Sequence, residues 1–317
     1  MTTASDKGRV LLAISGYEPT AWLKAFAGRR EATLAADGPG DPSIRYALTW
    51  RHQPDQLSGF PNLKAIFSVG AGVDHILADP TLPDVPIVRV IDPSLTQPMI
   101  EYIAWRVLDH HRQGLLYRIQ KQKKIWHEPS QRPASDVSVG IMGLGALGTE
   151  AARILGALGY QLRGWSRRAR KAPGVATFHG REGLDEFLAG TDILVVLLPL
   201  TAETAGLIDY ALLRKLRRRN AIGGAVLINA GRGKLQKDAD ILRALDDGTL
   251  KEATLDVFEI EPLPKASPMW THPKVFVTPH SAAGSDPDRL VPAMLEQMDA
   301  LDRGETLENI VDRAAGY

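Results

Sequence analysis

Three side chains suited to acid–base and anion chemistry follow short apolar runs in the second half of the chain. They are Arg232 in Asn229-Ala230-Gly231-Arg232-Gly233, Glu261 in Glu261-Pro262-Leu263-Pro264, and His280 in Thr278-Pro279-His280-Ser281-Ala282-Ala283. Each comes just beyond a stretch that reads as a strand, and open α/β sheets bind ligands beyond the carboxyl ends of their strands. An arginine, a glutamate and a histidine at successive strand ends are placed to converge on one ligand. Upstream, Gly143, Gly145 and Gly148 stand at G-x-G-x-x-G spacing. Before them Val137, Val139 and Ile141 alternate as in a strand; after them Ala152, Leu155 and Leu158 recur at helical spacing, closed by Gly159. Strand, glycine turn and helix in that order suit the pyrophosphate of a dinucleotide. The first glycine makes the turn, the second lets the backbone approach the phosphates, and the third lets helix and strand pack closely. The helix N-terminus then offers N–H groups and its positive dipole end to the anion. Glycine-rich turns also arise for steric reasons alone; the strand before and the helix after favour the binding reading.

Such groups need sheets to stand on, and the apolar patterning predicts two. Strands are expected over 10–14, 45–50, 64–69 and 87–91, with a helix over 22–28, which makes a small parallel α/β unit. A long helical pattern over 100–124 and a polar, proline-containing loop over 127–135 lead to the glycine turn. Beyond it, strands over 160–165, 192–198, 225–228, 254–258 and 274–278 alternate with helices over 184–188, 210–216 and 238–247, the rhythm of a doubly wound sheet. A last helix over 290–301 is expected to return to the first unit. The fold class is therefore α/β, with two Rossmann-like or flavodoxin-like domains with parallel sheets: residues 1–103 with 285–317, and 104–284.

Composition narrows the function. The 317 residues, 44% apolar and 24% charged, are those of an ordinary globular protein with a large core, and a net charge of +1 recruits neither nucleic acid nor membrane. The absence of cysteine excludes disulfides and thiol catalysis and suits a reducing compartment. The opening MTTASDKGR has no signal-peptide core, and the apolar run 10–15 is too short to span a bilayer, so a cytoplasmic protein is expected. His110 and His111 are adjacent and face different directions on a helix, and no compact ligand cluster appears, so no metal site is expected. The basic run 214–219 reads as the decoration of a helix end.

Six ordered motifs carry a family resemblance: GAGVD (70–74), GLGALG (143–148), LLPLTAET (197–204), NAGRG (229–233), LDVFEIEPLP (255–264) and HPKVFVTPHSAA (272–283). Together they make the chain resemble the D-isomer-specific 2-hydroxyacid dehydrogenases, most closely the glyoxylate/hydroxypyruvate reductase A branch, over about residues 50–283. The resemblance implies hydride transfer between NAD(P) and a small 2-oxo acid or 2-hydroxy acid in an interdomain cleft, by a homodimer. It puts His280 in the role of proton donor, Glu261 as its partner, and Arg232 on the substrate carboxylate and carbonyl. An imidazolium titrates near neutrality, and a guanidinium is a planar, permanently charged fork, so the residue types fit those tasks. The substrate would also meet the backbone N–H groups of Gly70, Ala71 and Gly72 and the side chain of Trp50, a residue equally suited to the core. Tyr102 and Trp126 fit core or interface packing better than the cleft. Ala146 and Leu147 would lie along the pyrophosphate, Leu198, Pro199 and Thr204 on the nucleoside side, Ala230 and Gly231 would also contact the cofactor, and Asp256 would take the nicotinamide carboxamide. Each residue also has a plainer reading: a satisfied surface histidine, a turn arginine, a solvated glutamate. Lys234 and Gln236, after NAGRG, stand where the family more often has apolar residues, which bears on fine specificity.

NAD-specific domains of this kind place an acid at the end of the second strand, about 20 residues beyond the glycines, to hold the ribose hydroxyls. Here that position reads Gly164-Trp165-Ser166-Arg167-Arg168. A carboxylate would repel a ribose 2′-phosphate, whereas Ser166, Arg167 and Arg168 would bind it through charge-assisted hydrogen bonds. NADP(H) is therefore expected in preference to NAD(H), which remains usable if these arginines are merely solvated. The alternatives are an NAD-dependent phosphoglycerate-type dehydrogenase, opposed by the missing acid, and a non-catalytic nucleotide-sensing member of the family.

Overall fold

The computed structural model describes residues 7–16, 18–35, 40–89 and 91–317. The first six residues of the expected leader-free N-terminus, and Val90 of the strand expected over 87–91, lie outside the described residues. In chain order the first elements are β1 (Arg9–Ile14), α1 (Pro19–Phe26), β2 (Ala32–Leu34), β3 (Ile44–Trp50), β4 (Ala65–Ser68), α2 (Asp74–Leu77) and β5 (Ile87–Val88). There follow α3 (Pro93–His111), α4 (Gly114–Lys123), β6 (Ser138–Met142), α5 (Ala146–Ala157), β7 (Gln161–Ser166), β8 (Ala176–His179), α6 (Leu184–Ala189) and β9 (Ile193–Val196). The chain ends with α7 (Tyr210–Leu213), β10 (Val226–Asn229), α8 (Asp238–Asp246), β11 (Glu252–Leu255), β12 (Val275–Val277) and α9 (Pro287–Asp302). It divides into two compact units, Met1–Leu95 with Gly284–Tyr317, and Thr96–Ala283. No helix among the described residues is long and apolar enough to cross a membrane.

The first unit is a five-stranded parallel sheet in the order β2-β1-β3-β4-β5, whose switch point lies between β1 and β3. α9 belongs to this unit. Pro287 occupies its first turn, Asp286 caps it by accepting the Asp288 N–H at 3.0 Å, and Leu290, Val291, Met294, Leu295 and Met298 bury one stripe. That stripe joins Val10, Trp22, Tyr46 and Phe67 in one core. A polar staple closes the same seam. Asp302 accepts from the Tyr46 hydroxyl at 2.7 Å, Lys64 Nζ at 2.8 Å and the buried Arg30 guanidinium at 2.8 Å. Burial alone would raise the Asp302 carboxyl, but the hydrogen bonds from Lys64, Tyr46 and Arg30 outweigh it and hold it at about 2. Its folded value thus lies below its unfolded one, so its contribution is complete above the ordinary carboxylate range and is lost as pH falls toward 2. Asp302→Ala is expected to cost about 1–2 kcal/mol, after allowance for solvent screening, and the deficit should shrink on acidification. Urea unfolding at neutral pH and at pH near 3 measures both; an equal deficit at both would refute the ionic part.

The second unit is a seven-stranded parallel sheet in the order β12-β11-β10-β9-β6-β7-β8. Every residue of β6, β9, β10 and β11 is buried, the continuous pattern of strands covered on both faces. The switch point falls between β6 and β9, at the end where the glycine turn leaves β6. The single helical pattern expected over 100–124 is in fact two helices. Gln113 adopts φ 60°, a left-handed turn that ends α3, and Arg118 bridges the break by donating to Asp109 at 3.0 and 3.2 Å. The strand expected over 254–258 ends at Leu255, so Asp256, Val257 and Phe258 are loop residues. β2 and β8 lie at sheet edges and span only three and four residues, too short to show in the pattern. The basic run 214–219 begins at the C-cap of α7, as expected, and continues into ion pairs: Arg217 donates twice to the buried Asp192 at 2.6 Å, and Lys215 reaches Asp185.

Candidate active site

The three glycines of the turn do three different things. Gly143 takes φ +112°, and a Cβ there would lie 2.8 Å from the Leu197 carbonyl oxygen. A Cβ on Gly148 would collide with the Gly143 carbonyl, so α5 sits on the turn only because that residue has no side chain. A Cβ on Gly145 would meet nothing within 4 Å; with Ala146 it faces outward at the first turn of α5. The crowded sides are occupied by protein and the open side faces the helix N-terminus, an arrangement that fits a dinucleotide pyrophosphate. Leu147 is half-buried beside it.

At the end of β7, Ser166 is buried and its hydroxyl donates to the Arg168 carbonyl at 2.8 Å, shaping the turn that displays Arg167 and the exposed Arg168. Arg167 Nη1 donates to Glu203 Oε2 at 3.1 Å. Glu203 belongs to the loop beyond β9, where Leu198 is buried and Pro199 half-buried. Thr204 braces that loop: its hydroxyl accepts the Thr201 N–H at 2.8 Å and donates to the Pro199 carbonyl at 2.7 Å. The Thr204 side chain therefore shapes the loop from inside.

The loop after β10 carries Arg232, and buried amides set its shape. Asn229 accepts the Gly231 N–H at 3.0 Å and donates to the Arg232 carbonyl at 3.2 Å and to Gln236 Oε1 at 2.7 Å. Gln236 in turn donates to Asp238 at 2.8 Å and to the Val257 carbonyl at 3.2 Å. The polarity that looked atypical at Gln236 is thus a tie between two loops, whereas Lys234 is exposed. Gly233 tightens the tie, because a Cβ there would collide with the Phe258 peptide. Ala230 and Gly231 are buried in this turn, and Arg232 Nη1 donates to the Gly231 carbonyl at 2.9 Å. Three residues beyond Phe258, Glu261 Oε1 accepts the Phe258 N–H at 3.0 Å, which leaves Oε2 directed at His280.

His280 Nδ1 lies 2.8 Å from Glu261 Oε2, with both side chains mostly buried. The His280 backbone is left-handed, φ +53°, a conformation costing roughly 1–2 kcal/mol for a residue with a side chain. Asp256 enforces it. Its carbonyl accepts the His280 N–H at 2.8 Å, and its carboxylate accepts Ser281 N at 2.9 Å, Ala282 N at 3.0 Å and the Thr278 hydroxyl at 2.6 Å. Asp256, expected at the nicotinamide carboxamide, is a buried carboxylate that accepts from three donors and thereby holds the loop that carries His280. The Thr278 proton goes to Asp256, so Tyr102, 2.7 Å from Thr278, is the donor in that contact. Burial pushes the Tyr102 phenol up, which keeps that proton in place. Tyr102 is thus a core residue behind the loop, while Trp126 is fully exposed. His110 and His111 face apart, toward Glu252 and Tyr160 respectively.

In the first unit, Trp50 ends β3 and Gly70 follows β4, the strand beside it. A Cβ on Gly70 would collide with the Trp50 ring, and the His75 ring packs edge-on against the indole at 4.6 Å. Ser68 turns the Gly70 and Gly72 carbonyls inward, donating to them at 2.8 and 3.2 Å, and Ser285 donates to the Val69 carbonyl at 2.7 Å. With the Gly70 carbonyl held in, the Ala71 N–H of the same peptide points to the other side, as an anion nest requires, while the Gly70 N–H is directed back at Ser68 Oγ at 3.4 Å. None of the loop ties through Ser68, Asn229 or Gln236 is visible in the motifs; only the unusual glutamine hints at one.

Comparison with known proteins gives this arrangement a context. Residues 104–282 match the family described as D-isomer specific 2-hydroxyacid dehydrogenase, NAD binding domain. The chain is 41% identical to glyoxylate/hydroxypyruvate reductase A of Salmonella paratyphi B, across 95% of this chain and 98% of that protein. Its fold is similar to that of the NADPH-dependent glyoxylate/hydroxypyruvate reductase of Sinorhizobium meliloti, solved with NADP and sulfate, at a TM-score of 0.92 and 45% identity, covering 98% and 100% of the two chains. A D-isomer specific 2-hydroxyacid dehydrogenase of Xanthobacter autotrophicus Py2, solved with NADPH and MES, is similar at a TM-score of 0.91 and 39% identity, covering 98% and 99%.

Proposed function

The chain belongs to the D-isomer specific 2-hydroxyacid dehydrogenase family, and from that membership we propose that it reduces glyoxylate, hydroxypyruvate or a related small 2-oxo acid to the D-2-hydroxy acid, with NADPH as cofactor. The observation that carries the reading is the His280–Glu261 pair, held by a loop that Asp256 ties down at four points. Reduced nicotinamide supplies a hydride to the carbonyl carbon. The charge left on the oxygen needs a proton, and His280 is its donor: Nδ1 faces Glu261, which assigns the transferable proton to Nε2. Glu261 orients the ring. Arg232 grips the carboxylate and carbonyl oxygen through its planar fork, and the N–H groups of Gly70, Ala71 and Gly72, with Trp50 as a wall, complete the substrate's contacts. Gly143, Gly145, Ala146, Leu147 and Gly148 hold the pyrophosphate, with Leu198, Pro199, Ala230 and Gly231 along the cofactor and Thr204 bracing the loop it meets.

Ser166, Arg167 and Arg168 are assigned to the ribose 2′-phosphate. Following NADPH absorbance with glyoxylate and hydroxypyruvate tests the activity, and the same assay with NADH tests the preference. If NADPH binds but no 2-oxo acid is turned over, the nucleotide-sensing reading replaces this one. Arg167→Ala is expected to lower kcat/KM with NADPH by about tenfold or more, the loss of one charge-assisted hydrogen bond, and to leave NADH nearly unaffected. Equal losses with both cofactors would count against a 2′-phosphate contact.

The same proposal includes a homodimer in the cytoplasm. Trp105 and Leu108 on α3, Tyr117 and Ile119 on α4, and Ile125 and Trp126 just beyond are all exposed large apolar residues within one stretch of the second unit, which supports burial against a second copy.

A further inference from the structure

Arg167, assigned above to the ribose 2′-phosphate, already has an anionic partner. Its Nη1 donates to Glu203 Oε2 at 3.1 Å, and both side chains are substantially exposed. An ion pair this open contributes little to stability. Its position gives it a consequence for binding. Glu203 is presented by a stiff loop, in which the Thr204 hydroxyl ties the Thr201 N–H to the Pro199 carbonyl and the Ala205 N–H returns to the Thr201 carbonyl at 2.9 Å. The carboxylate is therefore held near Arg167 by its own loop. A 2′-phosphate carries about 1.5 to 2 negative charges near neutrality and needs the same guanidinium edge.

We propose that Glu203 competes with the 2′-phosphate for Arg167 and so limits the affinity for phosphorylated cofactor. Binding of the phosphate requires the carboxylate to turn away, and a carboxylate that stays close repels it. A dinucleotide without the phosphate leaves the ion pair intact. The proposal rests on the assignment of Arg167 to the 2′-phosphate, and the two separate experimentally.

Calorimetric titration of the full chain with adenosine 2′,5′-bisphosphate and with 5′-AMP reads binding without turnover. Glu203→Gln should tighten the bisphosphate Kd by roughly threefold to fivefold, leave 5′-AMP unchanged, and show a smaller gain at high salt. Its melting temperature should match the wild type, as for any exposed substitution. A bisphosphate Kd that is unchanged or weaker in Glu203→Gln, while Arg167→Ala loses bisphosphate affinity, overturns the competition and keeps Arg167 in place. Equal tightening toward both ligands also overturns it, because the effect is then one of general charge. If Arg167→Ala binds the bisphosphate like the wild type, the assignment of Arg167 fails and the competition with it.

Discussion

Substitution of His280 by alanine should lower kcat for 2-oxo acid reduction by roughly 10²–10⁴-fold, the range that a positioned general acid contributes. Cofactor affinity should stay close to that of the wild type, because the glycine turn and the end of β7 are separate from the histidine loop. The main structural rival is that His280 merely fills the loop. Against it stands the local geometry: a left-handed φ of +53° is unfavourable for a histidine, and glycine or asparagine would occupy that position with less strain. The loop is also anchored from Asp256, through the His280 N–H and the amides of Ser281 and Ala282, all of which survive truncation of the ring. His280→Ala should therefore retain its melting temperature within a few degrees while losing turnover. Added imidazole gives a second readout. Reduction consumes a proton, so an exogenous general acid should restore part of the rate to His280→Ala and leave the wild-type rate unchanged. A variant with wild-type kcat would remove His280 from the proton step.

What the motifs made legible was the chemistry at the strand ends, and what they concealed was its scaffolding. Glycine spacing is readable because Gly143 and Gly148 are crowded by protein, while Gly145 between them leaves its side open at the start of α5. His280 and Glu261 are readable because they follow predicted strands, and they do meet, at 2.8 Å. The scaffolding parts of Asn229, Ser68 and Asp256 gave no comparable signal, and Gln236 stood out only as an unusual residue. All four are polar residues that become buried only after distant loops fold together, and a local window carries no information about burial of that kind. The break between α3 and α4 was hidden for a related reason. Apolar periodicity runs through Gln113, and the left-handed turn there is sustained by an Asp109–Arg118 contact across nine residues of sequence. Edge strands β2 and β8 lie where a sheet has one neighbour and an exposed side, so their apolar alternation is weak.

Replacing Arg232 by alanine should be nearly as damaging, and in a different way: KM for the 2-oxo acid should rise and kcat fall together, for a combined loss in kcat/KM of about 10²–10⁴-fold. A guanidinium that grips only the carboxylate stabilises ground and transition states equally and would change KM alone. One that also reaches the carbonyl oxygen meets growing charge as the hydride arrives, and its removal then lowers kcat as well. Arg232→Lys retains charge but not the planar fork, so it should recover affinity more than turnover. The loop itself should survive either change. Its shape depends on Asn229, on the Gln236 bridge to the Val257 carbonyl, and on Gly233 packed against the Phe258 peptide, whereas Arg232 Nη1 donates to its neighbour's carbonyl. Cofactor affinity and melting temperature are thus the controls. If both hold while kcat/KM collapses, and if added guanidinium restores part of the rate to Arg232→Ala, the loss belongs to the missing fork. An unchanged KM with full turnover would take Arg232 out of the substrate site and leave the carboxylate to the backbone nest at Gly70, Ala71 and Gly72.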